Sequence, residues 1–250
     1  MREDVIDKLM RSAKYRDVCP DTIRRIYADC EKKYKRPKDI EHATRERLHG
    51  VTGAYLSEND NRRALELAKA GEWKALLRMH VSTRERLPIE ETDALYDRLF
   101  DVCTVPNTLL DLACGLNPVY LAARYPEMRV TAVDMSGQCL RVINAFCDAQ
   151  TRCCDLVCAD SVPQGRYDMA LLFKVLPLIE REQTGTAARV MGECDAAYLV
   201  VSYPTRTLGG RNVGMAQHYD EWMRAHTPEN RVIETQFETA NELFYILKEK

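Results

Sequence analysis

The segment from Thr108 to Pro118 contains residue types that could bind a nucleotide. It reads TLLDLACGLNP: an apolar run typical of a buried strand, a break at Gly115, and Asn117-Pro118, which suits the start of a helix. A second apolar run begins at Val130 and ends in Asp134, 19 positions after Gly115. A glycine lets the backbone approach a ligand, and an acid at the end of the next strand accepts hydrogen bonds from ribose hydroxyls. The two runs therefore predict a nucleotide-binding α/β unit.

The residues of this turn also indicate which nucleotide it binds. A dinucleotide fingerprint has three glycines, whereas the corresponding positions here are Ala113, Gly115 and Pro118. Asp111 stands just before the turn, where it would repel a pyrophosphate. S-adenosylmethionine has no phosphate and carries an ammonium and a sulfonium, so it suits an acidic entrance better. The alternative is a structural turn without a ligand, and Asp134 favours the cofactor.

Length and composition disfavour a membrane, secreted, metal-binding or disulfide-linked protein. The chain has 250 residues, enough for one large domain or two modest ones. We expect a cytoplasmic protein, because the sequence has neither a run of about 18 apolar residues nor a signal-peptide pattern. Ten cysteines are present without a Cys-x-x-Cys pair, which favours buried reduced thiols over a metal site or disulfides. No metal is expected.

The net charge of −2 conceals an asymmetry. Residues 1–50 contain 14 Lys and Arg against 10 Asp and Glu, while the other residues are acidic on balance. A basic cluster follows one predicted helix: Lys32, Lys33, Lys35, Arg36 and Lys38, arranged around one tyrosine. Such a run is often only a solvated helix face, but here it also fits contact with a polyanion such as a nucleic acid.

The pattern along the chain divides it into two predicted domains. Residues 1–79 read as helices, including Asp21–Tyr34, Asp39–His49 ending at Gly50, and Asn61–Ala70. A polar junction follows, in which Arg84 and Arg86 could hold the cofactor carboxylate and Ser82-Thr83 could simply cap a helix. Residues 80–250 predict strands near 108–112, 129–134, 154–159, 168–173 and 196–202, helices near 117–124, 136–149, 178–192 and 213–226, and a final antiparallel pair at 231–237 and 243–248.

Seven strands with a terminal antiparallel hairpin are typical of the Rossmann-like class I methyltransferase fold. Ligands of such sheets bind outside the carboxyl ends of the strands, which places Asp160 at the end of the predicted third strand to bond the adenine. The alternative for Asp160 is a loop or helix cap. Lys174 is predicted to be exposed on the same rim. The long loop 202–215 carries Tyr203, Arg206 and Arg211, which could hold a flipped base and its phosphates.

Five motifs stand out along the chain: LHGVTGAY at 48–55, HVSTRER at 80–86, DLACGLNP at 111–118, KVLP at 174–177 and SYPTRTLGGR at 202–211. Together they resemble the aminoglycoside-resistance 16S rRNA (guanine(1405)-N(7))-methyltransferases. The resemblance runs from about residue 10 to the C-terminus. It implies a helical domain over residues 1–79 that docks on the small ribosomal subunit (30S), S-adenosylmethionine as donor, and modification of one guanine of 16S rRNA by the domain of residues 80–250.

The resemblance also implies roles for individual residues. The cofactor pocket would contain Tyr55, His80, Ser82, Arg86, Ala113, Asp134, Asp160, Ser161 and Phe173, beside Asp111 and Gly115 of the turn. The face turned to RNA would contain Arg181, Arg206, Arg211 and Met215, in addition to the basic cluster. One further pocket position falls on either Glu182 or Gln183.

The implied reaction needs no general base. Guanine N7 has a free lone pair and no proton, so catalysis would come from placing the two reactants in line, with Lys174 and Tyr203 positioning the guanine. The acidic rim would favour the developing positive charge. The remaining alternatives are methylation of another decoding-site base, such as adenine N1, and a ribosome-binding factor without turnover. A small-molecule methyltransferase is disfavoured by the basic helical domain.

Overall fold

The computed structural model describes residues 2–52, 56–205 and 215–250. A seven-stranded sheet lies at its centre, with strand order β3-β2-β1-β4-β5-β7-β6. The strands β1–β5 are parallel, and β7 pairs antiparallel with both β5 and β6. The predicted seven-stranded fold with a terminal antiparallel hairpin is therefore confirmed. The strands are β1 Thr108–Leu112, β2 Arg129–Asp134, β3 Gln150–Cys153, β4 Tyr167–Phe173, β5 Ala196–Pro204, β6 Arg231–Glu238 and β7 Glu242–Glu249.

Helices cover both faces of this sheet. Side chains of a strand alternate between faces, and successive apolar residues of β1, Leu109 and Leu110, accordingly belong to two different cores. The first core contains residues of α4, α5, α7, α8 and α9, and the second contains residues of α10, α11 and α12. The helices are α1 Arg2–Arg11, α2 Pro20–Lys33, α3 Pro37–Val51, α4 Glu58–Lys69, α5 Trp73–Leu77, α6 Val81–Arg84, α7 Ile89–Cys103, α8 Asn117–Arg124, α9 Gly137–Phe146, α10 Leu176–Glu182, α11 Thr186–Glu193 and α12 Met215–His226.

The third strand is not where the sequence predicted it. The prediction placed it at 154–159, but β3 is the polar edge strand Gln150–Cys153, and the apolar residues Leu156 and Val157 lie buried in the loop that follows. An edge strand is held by backbone pairing with one neighbour, here β2, so it does not need an apolar run. The apolar run was therefore assigned to the wrong element.

Several helix boundaries also differ from the prediction, two of them at glycines. The helix expected over 178–192 is two helices, α10 and α11, separated at Gly185, whose φ of +85° is incompatible with a continuing helix. Helix α3 does not end at Gly50 but continues to Val51. Here the helical hydrogen bonds of the last turn outweigh the local preference of one glycine.

The N-terminal helices have a core of their own. Ile6, Leu9, Ile23, Ile26 and Leu48 are among the buried residues that pack together between α1, α2 and α3. By contrast, the buried residues of α4 and α5 belong to the first core of the sheet domain. The separate core therefore covers the basic part of the chain, and the division of the chain at residue 79 stays a prediction.

An ion-pair network connects the N-terminal helices to the sheet domain. Arg25 of α2 donates from Nε to Oδ2 of Asp155 at 2.9 Å and from Nη1 to Oε2 of Glu182 at 3.2 Å. Arg47 of α3 donates to the same Glu182 oxygen at 2.8 Å. Asp155 is only 3% exposed, and its carboxylate is bonded to Arg25 and to the backbone N–H of Val157. The network therefore fixes the basic helices against the loop after β3 and the end of α10.

Within 2–52, 56–205 and 215–250, no helix is long and apolar enough to cross a membrane. In those ranges no three His, Cys, Asp or Glu side chains come together as a metal site would require. All ten cysteines are free, and six of them are buried.

Removing Arg25 should destabilise the protein more than removing its exposed neighbour. We expect Arg25→Ala to lower the free energy of unfolding by about 2–4 kcal/mol, because it leaves the buried Asp155 without its ionic partner. Arg24→Ala is the matched control: its ion pair with Asp21 is 59% exposed on each side, so the loss should stay below about 1 kcal/mol. Urea unfolding measures both. Equal losses for the two variants would contradict a structural role for the network.

Candidate functional site

The turn after β1 is held by the acid at the end of β2. Asp134 accepts hydrogen bonds from the backbone N–H of Gly115 through Oδ2 and of Ser136 through Oδ1, both at 2.8 Å. Gly115 has a φ of +54°, in the left-handed region that favours glycine. Burial raises the pKa of Asp134, against the effect of these N–H groups. The predicted pairing of turn and acid is therefore present, and the acid also shapes the turn.

The polar junction packs directly on this turn. His80 caps α6: its Nδ1 lies 2.7 Å from Oγ of Ser82 and accepts from the Ser82 N–H at 3.3 Å. A Cβ added to Gly115 would lie 2.6 Å from Ser82 Oγ and 3.0 Å from the His80 ring. Burial lowers the pKa of His80, so the ring is neutral near pH 7. The structure thus brings together His80, Ser82, Gly115 and Asp134 from three separate parts of the chain.

Asp111 lies beneath the turn and is 1% exposed. Its Oδ2 accepts from Nδ2 of Asn117 at 2.8 Å, and Oδ1 of Asn117 accepts from the hydroxyl of Tyr96 at the same distance. Burial raises the pKa of Asp111 to about 7, although Asn117 and Arg86 act in the opposite direction. Sequence reasoning assigned Asn117 only to the helix start and missed Tyr96, whose position in the apolar pattern of α7 does not show a polar contact.

Arg86 binds a carboxylate, and that carboxylate is a side chain of the protein. Its Nε and Nη2 donate to the two oxygens of Glu242 at 2.8 and 2.9 Å, with both side chains buried. The guanidinium lies over the ring of Phe173, 4.5 Å from its centre. Burial alone would raise the pKa of Glu242, but Arg86, Lys174 and Ser202 outweigh it and hold the value at about 2. Sequence reasoning missed Glu242, and a role for Arg86 at the cofactor carboxylate stays a prediction.

Lys174 is not exposed on the rim as predicted. Its Nζ lies 2.5 Å from Oε2 of Glu85 and 3.5 Å from Oε1 of Glu242, and the side chain is only 16% exposed. Its backbone has a φ of +55°, and its N–H donates to the carbonyl and the hydroxyl of Ser202 at 3.0 and 3.1 Å. The lysine was expected to be free because Glu85 and Glu242 are far from it in sequence. In the structure they neutralise it.

Tyr203 is also placed differently from the expectation that it positions a guanine. Its side chain is 2% exposed, and its ring stacks on Tyr219 with 4.4 Å between ring centres. Trp222 and Tyr245 complete the aromatic contacts. A base cannot stack on a ring that is covered on this scale, so in this conformation Tyr203 supports helix α12 rather than the acceptor.

Asp160 does not end a strand, because β3 ends at Cys153. It is exposed in the following loop with a φ of +53°, and its carbonyl accepts from Nη2 of Arg152 at 2.8 Å. Ser161 is fully buried and donates to the carbonyl of Leu156 at 3.3 Å. The predicted strand-end geometry of Asp160 is thus wrong, and its contact with adenine stays a prediction. Ala113, at a φ of +57°, and Phe173 lie where the cofactor turn and the end of β4 were expected.

The basic cluster lies at the junction of α2 and α3 and is exposed throughout. Lys32 and Lys33 line a cleft of about 410 Å³ together with Asp29, Arg47, Arg181 and Glu182. Arg181 belongs to α10 of the sheet domain, so the cleft joins the predicted RNA-binding residues of both parts of the chain. Glu182 takes part in the ion pairs of this cleft, and Gln183 is exposed. The predictions for Tyr55, Arg206 and Arg211, and that for the side chain of Met215, lie outside the described residues.

These features agree with comparisons to known proteins. A family model described as ribosomal RNA methyltransferase (FmrO) matches residues 11–246. The chain belongs to this family. A curated relative from Serratia marcescens, a 16S rRNA (guanine(1405)-N(7))-methyltransferase, is 39% identical over 98% of this chain and 97% of its own length.

Two solved structures of 16S rRNA methyltransferases superimpose on the whole chain. The 16S rRNA methylase RmtB has a TM-score of 0.88 at 35% identity and covers 100% of this chain and 99% of its own. RmtF, solved with S-adenosyl-L-homocysteine, has a TM-score of 0.89 at 35% identity, with coverages of 100% and 98%. The class I methyltransferase fold is therefore shared over the full length, including the N-terminal helices.

The residues at the carboxyl rim of this FmrO member fit S-adenosylmethionine. Each Asp134 oxygen accepts one hydrogen bond from a backbone N–H, and a second lone pair on each oxygen could accept from a ribose hydroxyl. Within the part of the chain that the structure describes, Asp111 is a buried acid bonded to an amide and not to a cation, which suits a ligand that carries an ammonium. This set of donors and acceptors would not suit a pyrophosphate.

Asp111→Asn should raise the stability of the ligand-free protein in a pH-dependent way. The folded-state pKa of Asp111, about 7, lies above its ordinary value of 3.8, so the folded state holds this proton more tightly. The acid therefore costs increasing stability as pH rises from about 4 to about 7, and asparagine removes that cost. We expect the advantage of the variant to grow by roughly 1–3 kcal/mol between about pH 5 and pH 8 and then level off.

Urea unfolding at several pH values measures this difference. Asp101→Asn, at an exposed acid on α7, is the control and should show no such growth. A constant difference between Asp111→Asn and the wild type across the range would mean that the carboxyl titrates normally. Calorimetry should show weaker S-adenosylmethionine binding by Asp111→Asn, because the acid no longer attracts the cationic ligand.

Proposed function

We propose that this protein methylates N7 of guanine 1405 in 16S rRNA of the small ribosomal subunit and so confers aminoglycoside resistance. The observation that carries the proposal is full-length similarity: relatives bearing this activity as their name align over 98% of the chain. Alignment over the N-terminal helices as well as the cofactor domain supports a shared RNA substrate and not merely a shared cofactor. The reaction would take place in the cytoplasm, where ribosomal subunits are found.

S-adenosylmethionine supplies the methyl group as an electrophile on a sulfonium. The chain binds and orients it: Asp134 would bond the ribose, Gly115 and Ala113 would contact it through the backbone, and Asp111 would face its ammonium. His80 and Ser82 close the turn from the side of the junction. His80 is neutral, so it adds no positive charge beside the cationic ligand.

Guanine N7 needs no proton removed before it attacks. The protein therefore contributes placement and electrostatics, and no side chain of the rim is required as a base. Lys174 would contact the acceptor only after release from Glu85, since its ammonium is neutralised in the ligand-free protein. This makes Lys174 a positioning residue for RNA in our proposal.

The cleft between α2, α3 and α10 supports docking on RNA. Lys32 and Lys33 reach the cleft from the end of α2, and Arg181 reaches it from α10, so the helices that carry them pack on different cores. The rest of the basic cluster continues along the exposed surface. A phosphate backbone could thus be bound at one edge while a single base reaches the carboxyl rim of the sheet. The division into a docking part at residues 1–79 and a catalytic part at 80–250 is part of this proposal.

The decisive experiment locates the methylated nucleotide. Purified protein is incubated with labelled S-adenosylmethionine and small subunits, and the product is mapped by chemical cleavage at N7-methylguanine and by primer extension. We expect one site, guanine 1405. With saturating cofactor, the single-turnover rate should change less than about threefold between mildly acidic and mildly alkaline pH, because no base titrates in the reaction. Label on an adenine, or a rate that follows one ionisation, would contradict the proposal.

Charge reversal separates docking from cofactor binding. Replacing Lys32, Lys33 and Lys35 with Glu should weaken binding to small subunits and flatten its salt dependence, because each lost phosphate contact lowers the salt slope by about one unit. S-adenosylmethionine affinity should stay unchanged, because the cluster lies outside the cofactor rim. Filter binding at several salt concentrations and calorimetry measure the two quantities.

A second triple variant controls for net charge. Arg129, Lys248 and Lys250 are exposed near the opposite edge of the sheet, where β2 begins and β7 ends. Their replacement with Glu changes the net charge equally and should weaken subunit binding much less. If both triple variants bind subunits alike, the basic cluster has no specific docking role.

A further inference from the structure

Cys19 and Cys153 meet at one backbone carbonyl although they come from distant parts of the chain. The N–H of Cys19 donates to the carbonyl oxygen of Met135 at 2.9 Å, and Sγ of Cys153 lies 3.9 Å from the same oxygen. In the pairing of β2 with β3, Cys153 stands opposite Asp134. The two cysteines are therefore neighbours beside the end of the cofactor strand.

The position of Cys19 is fixed by regular backbone contacts. Val18 forms an antiparallel bridge with Ser136, and the N–H of Gly137 donates to the carbonyl of Asp17 at 2.7 Å. The side chain of Asp17 also binds Nη1 of Arg141 at 2.7 Å. The segment 17–19 is thus held against the loop that follows β2. The proximity of Cys19 to Cys153 therefore rests on regular backbone contacts.

The surroundings of the two sulfurs differ from those of the other cysteines. Hydrogen bonding with Cys153 is the main cause that lowers the pKa of Cys19 to about 6, against burial, and the N–H groups of Asp21 and Thr22 at the start of α2 add to it. Cys153 holds the shared proton, and its own pKa is raised. Burial instead raises the pKa of Cys114 and Cys139. Cys153 is exposed to solvent, whereas Cys19 is 1% exposed.

We propose that Cys19 and Cys153 are a redox-active thiol pair that closes into a disulfide when a small disulfide such as glutathione disulfide reaches Cys153. Cys153 passes its proton to the Cys19 thiolate and attacks one sulfur of glutathione disulfide, which forms a mixed disulfide and releases the first glutathione as a thiolate. That glutathione thiolate takes the proton from Cys19, and the Cys19 thiolate then attacks the Cys153 sulfur. The second glutathione leaves as a thiolate that takes up a proton from water. Two protein thiols are oxidised and one glutathione disulfide is reduced to two thiols, so protons and electrons balance.

The disulfide would join the N-terminal helices covalently to the sheet domain. It would connect the first residue before α2 with the last residue of β3, next to Asp134. Formation of this disulfide does not require the RNA substrate, so it can be tested separately from the proposed function. Neighbouring Cys154 and Cys158 are half-buried free thiols and provide natural internal controls.

The test is peptide mapping of the full-length protein after exposure to glutathione disulfide. Native protein is incubated with increasing glutathione disulfide, alkylated, digested without reduction and analysed by mass spectrometry. We expect a peptide pair joining Cys19 to Cys153, two hydrogens lighter than the separate peptides, formed at least ten times faster than any other cysteine pair. Cys154→Ser should form the same link at the wild-type rate.

Two further variants separate the roles of Cys19 and Cys153. Cys19→Ser should accumulate the glutathione adduct on Cys153, since no thiolate remains to displace it. Should that variant fail to fold because Cys19 is buried, Cys153→Ser replaces it: its exposed site tolerates serine, and oxidation should then leave Cys19 unlinked. A stable glutathione adduct on Cys153 in the wild type, or linkage of Cys19 mainly to Cys154 or Cys158, would overturn the proposal.

Discussion

The ion pair between Arg86 and Glu242 is the constraint on which the candidate site depends. Both side chains are buried, so neither charge can be left without the other except at a cost of several kcal/mol. Through this pair the end of the junction is fixed to the first residue of β7, while the hydroxyl of Ser202 donates to the same carboxylate at 2.7 Å. The junction in turn carries His80 and Ser82 onto Gly115. The position of the cofactor turn therefore depends on the ion pair between Arg86 and Glu242 at the other end of the junction.

Two buried carboxylates near this rim, Glu242 and Asp111, differ in their bonding partners and therefore in their pKa. Glu242 is buried with a cation, and its pKa falls to about 2, so it is ionised at neutral pH. Asp111 is equally buried but accepts its hydrogen bond from the neutral amide of Asn117, and its pKa rises to about 7. The first acid is stabilised by the fold itself. The second is held at a cost, which a positively charged ligand can offset.

The sequence predicted those parts of the fold that rest on local patterns. The bounds of β1, β2 and α8 agree with the structure because apolar runs, a glycine and an Asn-Pro pair all coincide there. The third strand was misplaced because an edge strand is chosen by backbone pairing and not by apolar side chains. The partners of Arg86, Lys174 and Arg25 could not be predicted, since each lies across the fold with no periodic relation in sequence. Tyr203 was predicted from its loop, but its packing is decided by helix α12.

The close fit of Gly115 against the junction also limits how this chain can change by single substitutions. Any side chain at position 115 meets Ser82 and His80 and must adopt a left-handed backbone conformation. A smaller residue at position 82 would remove only the first of these obstacles. Substitutions at the turn are thus acceptable only after compensating changes in a segment that is distant in sequence, and the order in which they arise matters. The turn and the junction must consequently change together, although the sequence of neither segment shows that the two are in contact.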